Sequence, residues 1–159
     1  MAPKQNGFAD DQPWAGAVTV VLISPFEEDH ICLKRMLAEA DCKIHWVQNH
    51  QQALSVLREN RAAVVISECN LPEGSWKDVF SQLQPLANPP LLIVTSQHAD
   101  DHLWAEVLNL GGYDVLLKPF HGAEVTRVVS LACQYWKNRL ERAKASTTNN
   151  AFRTAGQAS

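Results

Sequence analysis

Residues 64–74 read Val64-Val-Ile-Ser-Glu-Cys-Asn-Leu-Pro-Glu-Gly74. The run Val64 to Ser67 is β-branched and almost without polar alternation, which suits a strand covered on both faces of a parallel sheet; Glu68 to Gly74 is then a loop punctuated by Pro72 and Gly74. The same unit recurs on either side. Upstream, Val18 to Ile23 is a near-continuous apolar strand. Ser24-Pro-Phe-Glu27 follows as a capping-box pattern with proline at the first helical position, and opens a helix with the stripe Ile31, Leu33, Met36 and Leu37, ending near Ala40. Lys43 to Val47 is a short second strand, and Asn49 caps a helix carrying Ala53, Leu54, Val56 and Leu57. Downstream, Ser75 begins a helix with Trp76, Val79, Phe80 and Leu83, and Leu91 to Thr95 is the fourth strand. A helix from Asp100 to Leu110 stops at Gly111-Gly112, Asp114 to Leu117 is the fifth strand, and a last helix runs from Gly122 to Leu140. Strand–helix alternation predicts an α/β fold with a parallel sheet, helices on both faces, and ligands at the carboxyl ends of the strands.

The chain has 159 residues, 46% of them hydrophobic, with 17 acidic against 14 basic side chains and a net charge of -3. That length suits one domain with a single core. Lysines and arginines are scattered rather than gathered into a basic footprint, so nucleic acid is not an expected partner. The apolar runs are strand-sized, far short of a bilayer span, and Met1 to Ala17 lacks the apolar centre of a signal peptide. A cytoplasmic protein is expected. Cys32, Cys42, Cys69 and Cys133 form no C-x-x-C pair and read as reduced thiols. Residues 1–17 and 143–159 are rich in small and polar side chains with little periodicity, so both flanks are expected to lack fixed structure around a folded unit of residues 18–142.

At the strand ends the motifs become specific: Glu68, Leu71-Pro72 and Gly74 after the third strand, Thr95-Ser96 after the fourth, Lys118-Pro119-Phe120 after the fifth. Together, in this order, they resemble the receiver domain of bacterial two-component response regulators, the CheY-like family. The resemblance covers Val18 to about Leu140 and implies a flavodoxin-like doubly wound fold with strand order 2-1-3-4-5. It also implies an aspartate ending strand three that a histidine kinase phosphorylates, Mg²⁺ held by that aspartate and two acidic residues after strand one, and a Thr or Ser and a Lys that bind the phosphoryl oxygens. The last two match Thr95 and Lys118, and by the same analogy Lys118-Pro119 is a cis peptide.

The remaining positions depart from the pattern. The phospho-acceptor position is Glu68, and Ser24 and Pro25 stand where the acidic pair belongs. Mg²⁺ demands oxygen ligands in near-octahedral array, usually carboxylates with water and phosphate. A hydroxyl and a proline ring supply no charge, so Mg²⁺ binding is expected to be weak or absent. Glu27, Glu28 and Asp29 follow in the first helical turn, where complementing the helix dipole is the plainer role. Glutamate moves the nucleophilic oxygen by over ~1 Å, and misplacement of that order costs roughly 100-fold in a positioned reaction. The longer carboxylate does reach toward Thr95 and Lys118. Two readings of a Glu68–Lys118 ion pair stay open: a permanent stand-in for the phosphorylated state, or simple charge company in a degenerate pocket. Val115 occupies the place of the family's switch aromatic, with Tyr113 two residues earlier, which puts the usual Thr-to-aromatic coupling in doubt.

Other motifs carry less. His98 and His102 have helical spacing without a third ligand, and Cys69 has no resolving cysteine near it. Trp76, Trp104 and Trp136 suit core packing, but a tryptophan exposed on the face of helix four, strand five and helix five would be a candidate for partner contact or a homodimer. The expected function is therefore a stand-alone, atypical receiver that is not an enzyme, needs no cofactor and acts by phosphorylation-independent protein contact. The alternatives are a receiver that accepts phosphate on Glu68 with weak Mg²⁺ dependence, and an unrelated flavodoxin-like enzyme or cofactor binder. The last lacks a phosphate-cradling glycine loop after strand one.

Overall fold

The computed structural model describes the backbone of residues 18–98 and 100–158 and the side chains of residues 18–98 and 100–146. The expected flexibility of 1–17 lies outside the described residues. The elements are β1 (Val18–Ile23), α1 (Glu27–Met36), β2 (Cys42–Val47), α2 (His50–Glu59), β3 (Ala62–Glu68), β4 (Asn70–Leu71), β5 (Gly74–Ser75), α3 (Trp76–Leu83), β6 (Leu91–Ser96), α4 (Asp101–Leu110), β7 (Asp114–Leu117) and α5 (Gly122–Ala158). Strands β4 and β5 pair only with each other, as a small antiparallel ladder in the loop after β3. The main sheet is parallel throughout in the order β2-β1-β3-β6-β7, which is the expected 2-1-3-4-5 once that ladder is set aside.

Strand alternation divides the core into two layers. Val20, Leu22, Val64, Ile66, Ile93 and Leu116 point to one side, where Leu33 of α1, Leu37 at its C-cap, and Val125, Val129, Trp136 and Leu140 of α5 cover them. Val21, Ile23, Val65, Val94 and Val115 point to the other, under Ala53, Val79, Leu83 and Val107 from α2, α3 and α4. A sheet covered on both faces needs strands without polar alternation, which is why all seven residues of β3 are buried. Helix boundaries follow local chemistry. Asn49 Oδ1 accepts from the Gln52 N–H, Ser75 and Asp78 form a reciprocal capping box, and Asp100 Oδ1 accepts from the Leu103 N–H. Gly111 ends α4 with φ 111, a left-handed conformation that favours glycine.

Two expectations need correction. Ser24 does not cap α1: the helix starts at Glu27 with Phe26 in the N-cap position and no side-chain cap, and the Ser24 hydroxyl, two residues earlier, accepts from the Phe26 N–H at 3.0 Å while donating to a buried carboxylate described below. Residues 143–158, expected to lack structure, continue α5 as helix to Ala158. Small and polar composition suggested a coil, but no proline or glycine interrupts 123–155, and Ala143, Ala145, Ala151 and Ala155 are strong helix formers. Trp136 anchors the near part of this helix. It is 1% exposed and its indole N–H donates to the Asn88 carbonyl at 3.4 Å, while Arg139 donates to the Pro89 carbonyl at 2.6 Å. Trp136→Ala is expected to cost about 3–5 kcal/mol of unfolding free energy, read as a lower midpoint in urea titration, with Trp136→Phe losing clearly less.

Candidate functional site

The register of the sheet brings its carboxyl ends to one level. Glu68 lies beside Thr95, Thr95 beside Leu116 and Ser96 beside Leu117. Backbone bonds fix the segments that leave the strands: the Ser24 N–H donates to the Val47 carbonyl at 3.0 Å, Cys69 N–H to Thr95 at 2.8 Å, and Lys118 N–H to Ser96 at 2.9 Å. The Lys118-Pro119 peptide is cis.

Five polar side chains converge there. The Lys118 ammonium lies 2.5 Å from Glu68 Oε1 and 3.0 Å from Asp29 Oδ2. Thr95 Oγ1 donates to the same Glu68 oxygen at 3.1 Å, and Ser24 Oγ donates to the same Asp29 oxygen at 2.7 Å. The ring of Phe26 closes the outer side, with its centroid 4.9 Å from the ammonium. The Lys118 and Asp29 side chains are 9% exposed and that of Glu68 10%, so these charges are largely out of water and depend on one another. Burial alone pulls the lysine pKa down, but the hydrogen bonds and negative charges of Glu68 and Asp29 outweigh it and hold Lys118 above its ordinary 10.5.

The sequence-predicted positions fall as follows. Glu68, Thr95 and Lys118 meet directly, and Ser24 joins them through Asp29 rather than by contact with Glu68. Pro25 is half-buried beside the cluster and offers no donor or charge. Val115 is buried in the second core layer, away from it, and Tyr113 packs against Tyr135 with ring centroids 6.2 Å apart. Asp29 is the residue that sequence reasoning set aside. It is 6% exposed and buried in the first turn of α1, where dipole complementation would have kept it in solvent. The signal was helical period: Asp29, Leu33 and Leu37 are four apart, so the inward stripe of α1 extends back to a carboxylate. Burial pushes the Cys69 thiol up, with the charge of Glu68 adding to it, which keeps it protonated at neutral pH and disfavours a redox role. His98 and His102 are exposed, and no group of three or more metal-ligating side chains is found among the described residues.

A parallel sheet of this order, with an acid, a hydroxyl and a lysine at adjoining strand ends and a cis peptide after the lysine, defines a receiver-type α/β domain. The sequence profile of the response regulator receiver domain matches residues 27–130, and the chain belongs to that family. The transcriptional regulatory protein SrrA of Staphylococcus aureus is 29% identical over 101 residues, 62% of this chain and 42% of its own length. The chain thus spans well under half of the curated relatives it matches. Among solved structures, the signal receiver domain of a putative Luxo repressor protein from Vibrio parahaemolyticus has a TM-score of 0.72 at 20% identity, covering 77% of this chain and 95% of that one. The chemotaxis response regulator CheY4 of Vibrio cholerae has a TM-score of 0.65 at 15% identity, covering 73% and 98%. An uncharacterized protein from Neptuniibacter caesariensis has a TM-score of 0.72 at 26% identity, covering 78% and 93%.

Removing one member of a buried ion cluster leaves the rest uncompensated, so Lys118→Met is expected to cost about 3–5 kcal/mol at pH 7. The pH dependence has a definite sign. A lysine held above 10.5 in the fold contributes stability that is complete below its unfolded value and is lost as pH rises through the folded one. Urea titrations of wild type and Lys118→Met should therefore converge above about pH 10.5, and remain separated by a constant gap between pH 7 and 9.

Proposed function

We propose that this receiver domain signals through protein contacts without running a Mg²⁺-dependent phosphorylation cycle. Receiver domains are signalling modules rather than classical enzymes, and the observation that carries this reading is the ammonium of Lys118 seated between Glu68 and Asp29. The ion the family uses does not fit these residues. Ser24 offers a hydroxyl already donated to Asp29, Pro25 offers nothing, and the nearest oxygens of both carboxylates are engaged by Lys118. A divalent ion entering here would have to displace an ammonium that is tethered in place by the chain. Glu68 Oε1 also accepts from Thr95, so one of the two oxygens at the acceptor position is held by two donors before any phosphoryl group arrives. The cluster ties α1, β3, β6 and the end of β7 into one arrangement, which supports the reading of Glu68 as a fixed substitute for a switched state.

Contact surface is available where the family meets partners. Trp104 on α4, Leu117 on β7, and Leu131 and Tyr135 on α5 are each about half exposed, an apolar set suited to a signalling protein or a second copy of the chain. Four unpaired thiols fit a cytoplasmic setting. Incubation of the full chain with acetyl phosphate and Mg²⁺, followed by intact-mass spectrometry, is expected to show no phosphoryl adduct, while Glu68→Asp with Ser24→Asp and Pro25→Asp gains one. An adduct on wild-type Glu68 would establish the conventional phospho-acceptor instead.

A further inference from the structure

Between α1 and the segment Lys118-Pro119-Phe120 lies a groove of about 650 Å³, within the roughly 300–1,000 Å³ of small-molecule sites. Its middle is apolar, formed by Phe26, Met36, Pro119 and Phe120. Its floor is already committed, since Lys118 and Asp29 are paired with each other and Lys118 with Glu68. The rim is different. Glu28 and Arg35 both line the groove and are exposed, and among the described residues neither side chain has an ion-pair or hydrogen-bond partner. A Cβ built at Gly122 would meet Met36 Cγ at 3.8 Å, so the start of α5 comes up against Met36 and a ligand would lie along α1.

Spacing and charge then select the ligand. Glu28 and Arg35 are seven residues apart, close to two helical turns, which returns them to one face about 10.5 Å apart along the axis. An anion alone would meet Glu28 over a floor whose cluster carries two carboxylates to one ammonium, and a cation alone would meet Arg35. A molecule with both charges satisfies both ends. The guanidinium fork suits a carboxylate in bidentate contact, and the Glu28 carboxylate suits an ammonium. Both side chains also complement the dipole of α1, a role that leaves their outer hydrogen-bonding positions free. We propose that this groove binds a short zwitterion with its ammonium at Glu28, its carboxylate at Arg35 and an apolar centre between Phe26 and Phe120. Three extended residues span at most about 10–11 Å, so a tripeptide with free termini has the matching length, and a straight ω-amino acid of that length shares its chemistry.

The test is an amide NMR titration of the full chain with alanyl-phenylalanyl-alanine, with the same peptide acetylated and amidated, and with 8-aminooctanoate. Saturable shifts at Cys32, Arg35 and Phe120 with the free tripeptide, lost on capping and weakened about tenfold by either Glu28→Gln or Arg35→Gln, support the site. Both are exposed substitutions outside the Lys118 cluster, so folding is preserved. Binding of 8-aminooctanoate as well supports a general dipolar ligand, and binding of the tripeptide alone supports a peptide. Absence of saturable shifts with both free ligands, or equal binding of the capped peptide, overturns the proposal.

Discussion

One ammonium shared by two carboxylates in a nearly dry pocket is the constraint that the functional end of this fold obeys. Each of these ions alone would be costly to bury, and their attraction repays that cost only when geometry is tight and leftover hydrogen-bonding capacity is met. Here Lys118 lies within 3.0 Å of both Asp29 and Glu68. The residual negative charge is spread over hydroxyl donors, Thr95 to Glu68 and Ser24 to Asp29. Removing any member leaves another exposed to desolvation without compensation, so the cluster acts as a unit joining α1 to three strand ends.

That unit also explains why the departures from the family pattern belong together. Serine at the first acidic position would be a bare loss if nothing took up the lysine's charge, but Ser24 is the donor that orients Asp29. Asp29 in turn supplies a carboxylate from the helix instead of from the strand end. On the proposed reading the Lys118 ammonium supplies from within the chain the positive charge that a receiver draws from an ion, and Glu68, at the acceptor position, is the acid it holds most closely. Phe26 adds a ring over the ammonium and narrows access from solvent. The sheet beneath is the ordinary one, with its register bringing Glu68 beside Thr95 regardless of what chemistry follows.

Much of this was legible in the residues. Apolar runs placed the sheet strands except β2, whose Lys43-Ile-His-Trp-Val47 alternates, and Asn49, Ser75, Asp100 and Gly111 marked helix limits because each has a specific job for an unsatisfied backbone group or a left-handed turn. The meeting of Glu68, Thr95 and Lys118 followed from their places at adjoining strand ends. Asp29 was missed because an acid in a first helical turn has a sufficient local explanation, and only its four-residue spacing from Leu33 pointed inward. Ser24 was misread as the cap because a hydroxyl before a helix has that common use; the helix starts two residues later than the pattern suggested, and the hydroxyl accepts from the Phe26 N–H while donating to Asp29. The length of α5 was missed because composition alone hides helix propensity when no apolar stripe accompanies it.

The central claim is that an internal ammonium fills the cation's place, and Mn²⁺ tests it most directly. Added in stoichiometric amount to the ¹⁵N-labelled full chain, this paramagnetic ion broadens only amides near a bound site. With Lys118 held between Asp29 and Glu68, the amides of Ser24, Glu68, Cys69 and Lys118 should keep their intensity relative to the rest of the domain. Selective loss of those signals at low Mn²⁺, reversed by excess Mg²⁺, would show that a divalent ion displaces the lysine and would contradict the claim.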